Sequence, residues 1–258
     1  MSRLRAKCPD CGGYTAVAIG PDYECHSCGR TFAAGMVRVP NAWGSGGEAM
    51  IESAYLPLPY PEAAIVETGT LAEQTFGVAA ELPERPLILG GCCCSHVGAI
   101  EGLSARHGRI GVVWIDAHGD LNTPASSPSG NEWGMPLRMA IDSGAVDPQD
   151  VALVGARSLD PPEEAFILET GLHTGEDGVA EALDGVVGTY VAIDVDGLDA
   201  DEVAVFMPEP DGVPVARAEE LLREVARRSD VLGAGVTGLR PDPANVEPVT
   251  RLLRAIGL

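Results

Sequence analysis

Two short acidic strings constrain this chain more than any other feature: Asp116-Ala117-His118-Gly119-Asp120 and Asp194-Val195-Asp196. Each follows a strand-forming apolar run, Gly111-Val112-Val113-Trp114-Ile115 before the first and Thr189-Tyr190-Val191-Ala192-Ile193 before the second. Side chains alternate along a strand, so Asp116, His118 and Asp120 share a face if extended geometry continues, and so do Asp194 and Asp196. In an open parallel sheet both sets emerge at the carboxyl edge, where such folds build their sites. Carboxylates and an imidazole gathered there are costly to bury unless a cation lies between them. The pattern predicts a metal centre, with two ions.

The chain has 258 residues, enough for one large α/β domain with a small appended module. Apolar residues make up 45% and aromatics only 5%, which predicts a core of Val, Leu, Ile and Ala. Thirty-eight acidic residues against 17 basic ones give a net charge of −21, which argues against nucleic acid or an anionic membrane as a partner. The first residues carry Arg3, Arg5 and Lys7 without a following apolar run, so no secretory leader is read there. No stretch is long and apolar enough to span a bilayer. With no disulfide-type cysteine spacing, a cytoplasmic setting is expected.

Beyond residue 34, strand-like runs alternate with amphipathic stretches, the signature of an α/β fold. Strands are expected at 36–39, 86–89, 111–115, 151–154, 189–194 and 231–236. Helices are expected at 49–55, 98–107, 134–142, 163–169, 217–229 and 246–256. The Ser-, Pro- and Gly-containing segment 122–134 reads as a loop leaving the first acidic motif, and so as a wall of the site.

Four of the seven cysteines form two CxxC knuckles, Cys8-Pro9-Asp10-Cys11 and Cys25-His26-Ser27-Cys28, each followed by glycine. Four thiolates offer zinc a closed tetrahedral set, which makes such a site structural and able to fold a segment too short for its own core. Residues 1–34 are read as a zinc ribbon that stabilises the chain or docks a protein partner, with 35–258 as the α/β domain. Redox use of one CxxC pair is the alternative.

At this point the motifs resemble a known family. Trp114 to Pro124 and Ala192 to Asp199 are similar to the ureohydrolase pattern shared by arginases and agmatinases. Ser129-Gly130-Asn131-Glu132-Trp133-Gly134-Met135-Pro136 is similar to the arginase substrate loop, and Ile88-Leu89-Gly90-Gly91 opens the family's first metal motif. The resemblance implies a three-layer α/β/α fold with a mostly parallel sheet, and an assembly of three or six copies. It also implies two manganese ions that activate a water molecule. Asp116 and Asp194 would bridge the ions, His118 and Asp196 would complete one of them, and Asp120 would bind the other and handle protons. Asn122, Ser129, Asn131 and Asp160 match positions that hold the amino-acid head of arginine. Turn chemistry is an equal reading for Asn122 and Ser129.

The departures from the pattern are concentrated where metal and substrate meet. The family's first motif has Gly-Gly-Asp-His-Ser with a ligand His; here Gly90-Gly91-Cys92-Cys93-Cys94-Ser95-His96 puts Cys93 at that position. A shifted register would offer His96 instead. A thiolate ligand favours softer ions, so another divalent transition metal is expected if Cys93 ligates. Trp133 replaces a His, Met207 a Thr, and Gly238 the Glu that pairs with the guanidinium. Losing that carboxylate removes a forked, charge-assisted contact. The expected activity is hydrolysis of a C–N bond in a small amino-acid-like amidine, imine or amide, with Trp133 as an apolar pocket wall. The same residues also fit a scaffold without catalysis that binds metal or docks a partner through the ribbon.

Overall fold

The computed structural model describes residues 4–258. Twelve strands are present among them: β1 (Arg5–Ala6), β2 (Ala16–Ile19), β3 (Asp22–Cys25), β4 (Thr31–Phe32), β5 (Gly35–Val39), β6 (Glu62–Ile65), β7 (Pro86–Gly90), β8 (Gly111–Ile115), β9 (Val151–Val154), β10 (His173–Thr174), β11 (Thr189–Asp194) and β12 (Val231–Thr237). The α-helices are α1 (Leu71–Glu81), α2 (Ser95–His107), α3 (Pro136–Asp142), α4 (Pro161–Thr170), α5 (Val179–Ala182), α6 (Val215–Arg228) and α7 (Val246–Ala255).

Strands β5 to β12 form one sheet in the order β10-β9-β8-β11-β12-β7-β5-β6, and every pairing in it is parallel. Parallel strands need crossover helices, which cover both faces and make each strand apolar throughout. The burial follows that rule: β5, β7, β8, β9 and β11 are buried at every position. Alternate residues then supply two cores. Met36, Leu87, Val113, Ile115, Val191, Ile193 and Val236 pack with α6 and α7 residues such as Leu222 and Leu253. Val37, Ile88, Val112, Trp114, Leu153 and Tyr190 pack with Val78, Leu103 and Leu137 of α1, α2 and α3. The arrangement is a three-layer α/β/α sandwich.

Two elements lie where the sequence reading had no helix or strand of useful length. Helix α1 presents Phe76 to solvent at 77% exposure and carries Gly77, so its apolar stripe is broken in sequence. It is held by Thr70, which caps Glu73 N, and by close packing on α2. A Cβ at Gly98 of α2 would approach the Thr75 carbonyl to 2.3 Å, so only glycine allows this approach. Strand β6, Glu-Ala-Ala-Ile, is short and weakly apolar, and it forms because Arg38 of β5 pins it. Arg38 Nε donates to Glu62 Oε2 at 2.6 Å, and its Nη1 donates to the Ala54 carbonyl at 2.6 Å. The helix expected at 49–55 is a 3-10 stretch, Gly47–Tyr55.

Strands β1 to β4 form a separate antiparallel sheet. Cys8, Cys11, Cys25 and Cys28 bring their sulfurs within 4.8 Å of one another, with Cys8–Cys28 at 3.8 Å and Cys11–Cys25 at 3.7 Å. A tetrahedron with Zn–S bonds of about 2.3 Å has edges of about 3.8 Å, so the four sulfurs fit a zinc ion. Gly12 and Gly29, at φ +71° and +73°, let each knuckle turn. The ribbon joins the large sheet through a reciprocal backbone pair, Lys7 N to Glu62 O at 2.8 Å and Glu62 N to Lys7 O at 3.0 Å. Among the described residues no helix is long and apolar enough to cross a membrane.

The order β8-β11-β12-β7 brings four loop ends to one edge of the sheet, at a point where consecutive strands β7 and β8 are separated by two others. Such a topological switch opens a crevice at the carboxyl ends of the strands. The loops approach closely there: a Cβ on Gly197 would lie 2.9 Å from Asp116 N and 3.0 Å from its Cα. Gly197→Ala is therefore expected to force the two acidic loops apart and to cost about 1–3 kcal/mol in urea denaturation. An unchanged midpoint would mean that the loops tolerate separation.

Candidate metal centre

The side chains converge by turn chemistry and not by strand pleat. Strand β8 ends at Ile115, and β11 passes at Asp194 into a 3-10 turn, Val195–Gly197. Asp120 has φ +52°, a left-handed backbone that Asp tolerates better than most residues. Asp194 and Asp196 each give one oxygen to a backbone amide, whereas Asp116 accepts through both of its oxygens. Asp194 Oδ1 accepts from Asp196 N at 3.0 Å, and Asp196 Oδ1 accepts from Ala117 N at 3.0 Å. Asp116 Oδ1 accepts from His118 N at 2.7 Å, while its Oδ2 accepts from Trp114 Nε1 at 3.0 Å.

Cys93 enters from the loop between β7 and α2. Its sulfur lies 2.7 Å from Asp194 Oδ2, 3.1 Å from Thr237 Oγ1 and 3.8 Å from Asp116 Oδ2. His118 Nδ1 faces Asp196 Oδ2 at 3.0 Å and Asp116 Oδ1 at 3.5 Å. His96 lies elsewhere. It is the second residue of α2, fully buried in the core, with Nδ1 2.8 Å from the Tyr190 hydroxyl and Nε2 3.3 Å from Thr237 Oγ1. Burial lowers its pKa to about 3, so the ring is neutral. Of the two alternatives for the missing ligand, Cys93 is the one beside the carboxylates.

Electrostatically the cluster is short of positive charge. Burial, followed by repulsion from Asp196, raises Asp194 to about 7; burial and Asp116 raise Asp196 to about 6. Asp120 is raised well above the usual carboxylate range by burial and by Asp116 and Asp194. Burial opposes a charge on His118, but Asp116 and Asp196 outweigh it and hold the imidazole up to about 12. Asp120 Oδ2 is buried without any hydrogen-bond partner. An orphaned inward carboxylate oxygen among mutually repelling acids is what a cation site requires, and these residues fit divalent ions. They fall into two overlapping sets that share Asp116: Cys93, Asp116 and Asp120, and Asp116, His118 and Asp196.

The centre lies at the floor of a cavity of about 310 Å³. All five residues expected at the substrate end, Asn122, Ser129, Asn131, Trp133 and Asp160, line it. Asn122 Nδ2 donates to Asp160 Oδ2 at 2.8 Å, and Asp160 caps α4 in a reciprocal box with Glu163. Asn131 Oδ1 accepts from Ser45 N at 3.0 Å, and Ser129 Oγ accepts from Asn131 N at 3.2 Å. Trp133 lies over Gly44 and meets Phe206 edge-on at 6.5 Å, giving the cavity an apolar wall with Met50 and Met207.

Two residues with a clear place in this geometry were not singled out from sequence. Glu209 Oε1 lies 3.5 Å from His118 Nε2, on the side away from the carboxylates. Its only signal was an acidic residue between two prolines in a pocket loop. Arg157 binds no carboxylate; it donates to the backbone carbonyls of Gly155, Asp196, Glu209 and Pro210, fastening three loops at the rim. At Gly238, φ is +73° and a Cβ would fall 2.0 Å from Asp194 Oδ1, so any side chain there collides with the cluster.

Comparison with known proteins agrees with this geometry. The profile of the arginase family matches residues 56–255. An arginase of Staphylococcus aureus is 31% identical over 160 residues, covering 52% of this chain and 53% of its own length. The chain spans about half the length of the curated relatives it matches. The crystal structure of arginase from Bacillus subtilis superposes with a TM-score of 0.74 at 24% identity, over 87% of this chain and 98% of that one. Formimidoylglutamase from Bacillus subtilis superposes with a TM-score of 0.71 at 17% identity, over 86% and 84%. The fold is the arginase fold, and this chain belongs to the arginase family.

The pKa directions fix the sign of a pH effect. In the metal-free folded state Asp194 and Asp196 keep protons that the unfolded chain releases near 3.8, and His118 keeps one that it releases near 6.5. The folded state binds more protons in these windows, so its stability falls as pH rises through them. The melting temperature of metal-free protein is expected to fall between about pH 5 and pH 8, and the increase on adding manganese to grow over the same range. Asp194→Asn should flatten both trends. Parallel curves for the two proteins would contradict the assignment of these protons.

Proposed function

We propose that this chain is a binuclear metal-dependent hydrolase acting on a linear C–N bond of a small, amino-acid-like amidine, imine or amide other than a free guanidinium. The observation that carries the reading is the inward convergence of Cys93, Asp116, His118, Asp120, Asp194 and Asp196 at the floor of the cavity, with Asp120 Oδ2 unpartnered. Asp116 and Asp194 would bridge two divalent ions, His118 and Asp196 would complete one position, and Cys93 and Asp120 the other. Manganese is the ion proposed by family resemblance, with zinc in the ribbon. Ions held there supply polarisation of the scissile group and a water acidic enough to be a nucleophile near neutral pH.

The chain's own groups account for the rest. Asp120 Oδ2 takes the proton from the attacking water and returns it to the leaving nitrogen, so water adds across the C–N bond with no net proton change. Glu209 Oε1 stands 3.5 Å from His118 Nε2, a contact that favours the ring orientation in which Nδ1 faces Asp116 and Asp196. The Asn122, Ser129 and Asp160 side of the cavity suits the head of an amino acid. Trp133 and Phe206 exclude water from the stem.

Substrate choice turns on Gly238. Without a carboxylate there, a guanidinium would bury its donors unpaired, which costs discrimination heavily. A Glu cannot simply be restored, because its Cβ would strike Asp194. The same fold serves a formimidoylglutamase as well as arginases, so the scaffold does not itself demand a guanidinium.

The test is a screen of metal-loaded protein against arginine, agmatine and a panel of amidines, formimino compounds and amides, scored by release of ammonia, urea or formamide. Turnover of a panel compound, lost in Asp116→Ala and reduced about 10²–10⁴-fold in Asp120→Asn, is expected. Urea release from arginine at enzyme-like rates would refute the substrate reading. Metal loading without turnover of any compound would favour the non-catalytic scaffold.

A further inference from the structure

We propose that the two metal positions are chemically unequal, with Cys93 reserving one for a thiophilic ion of the zinc and cobalt class while the other remains a manganese-type position. The inference rests on the binuclear reading above and goes beyond it in assigning different ions to the two positions.

The two ligand sets differ in donor type and in access. Cys93, Asp116 and Asp120 are all buried and combine one sulfur with carboxylate oxygens; Asp116, His118 and Asp196 combine imidazole with carboxylates, and His118 is 30% exposed toward the cavity. The sulfur is not a bystander. It lies 2.7 Å from Asp194 Oδ2 and 3.1 Å from Thr237 Oγ1, with a carboxylate oxygen of Asp120 within 4.8 Å, and Asp120 Oδ2 is buried with no hydrogen-bond partner among the described residues. Cys92 and Cys94 take no part: with Met50 they form a separate apolar cluster against Trp43 and Trp133.

Two physical consequences follow. Manganese binds weakest in the divalent series, and a thiolate widens its disadvantage against cobalt and zinc, whereas imidazole and carboxylate leave manganese competitive by availability. Charge points the same way. Cys93, Asp116, Asp120, Asp194 and Asp196 supply five negative charges against four from two divalent ions. A neutral imidazole at position 93 would leave the count balanced. The extra anion favours the stronger Lewis acid at the sulfur position.

The experiment uses full-length protein with its ribbon zinc retained, titrated with cobalt and with manganese, and compares wild type with Cys93→Ser and Cys93→His. Both variants keep the ribbon, so difference spectra against them isolate position 93. Wild type is expected to develop a sulfur-to-cobalt charge-transfer band that neither variant shows, and to hold one cobalt and one manganese per chain from a mixture with one equivalent of cobalt and manganese in large excess. Cys93→Ser should lose at least about tenfold in affinity for that cobalt, the lower bound seen on loss of a supporting group at a metal site. Cys93→His should take two manganese ions. If wild type binds two manganese ions equally, with no band that depends on Cys93, the inequality is refuted and the binuclear reading stands. If no protein binds an ion beyond the ribbon zinc, both fail. Should Cys93→Ser not fold, Cys93→His carries the comparison alone.

Discussion

Repulsion among buried carboxylates at one edge of a parallel sheet is the constraint from which the rest of this structure takes its meaning. Four aspartates and a cysteine are buried together, and burial followed by mutual repulsion pushes Asp194 and Asp196 upward against a single imidazole. A cation sharing the site would offset that cost, and the residues gathered here fit divalent ions. The packing around the cluster has the same logic. Gly197 and Gly238 bring backbone against the acidic loops where a side chain would displace them, and Arg157 gathers three rim loops through carbonyls without neutralising any acid. The scaffold concentrates negative charge and leaves its neutralisation to ions.

This constraint separates what the chain has in common with arginases from what it does not. The sheet, the crevice and the acidic loops are those of the family, and they specify metal. The cavity above them holds the positions where the sequence departs from the pattern it resembles: Trp133 and Phe206 form an apolar wall, Met207 joins them, and position 238 is glycine. In such a cavity a missing partner for a cationic group costs more than an apolar contact returns.

The central strands and the acidic motifs were legible in the sequence because a parallel strand buried on both faces must be apolar throughout, and a run such as Thr189 to Ile193 ending in Asp is rarely anything else. Helix α1 was not legible, since Phe76 points to solvent and its seat depends on Gly98 of another helix. Nor was β6, whose four residues form a strand through Arg38 and not through their own propensity. At the site, the residue types were readable and their geometry was not. Alternation along a strand implied the right convergence for a different reason, since β8 ends before Asp116 and β11 ends at Asp194, leaving the other acids on turns. Cys93 and His96 lie three residues apart and both reach Thr237, yet only Cys93 meets the carboxylates, a distinction made by where the β7–α2 turn becomes helix. Glu209 was invisible because a loop has no periodicity from which to read the direction of a side chain.

The pairing of Lys7 with Glu62 has a further bearing on how the chain behaves. Strand β6 ends the sheet, and an end strand leaves a row of amide and carbonyl groups open to recruitment by a neighbouring chain. The ribbon sits on that border and takes up one rung of it. With that pair formed, the border of the sheet offers a neighbouring chain one rung fewer at Glu62.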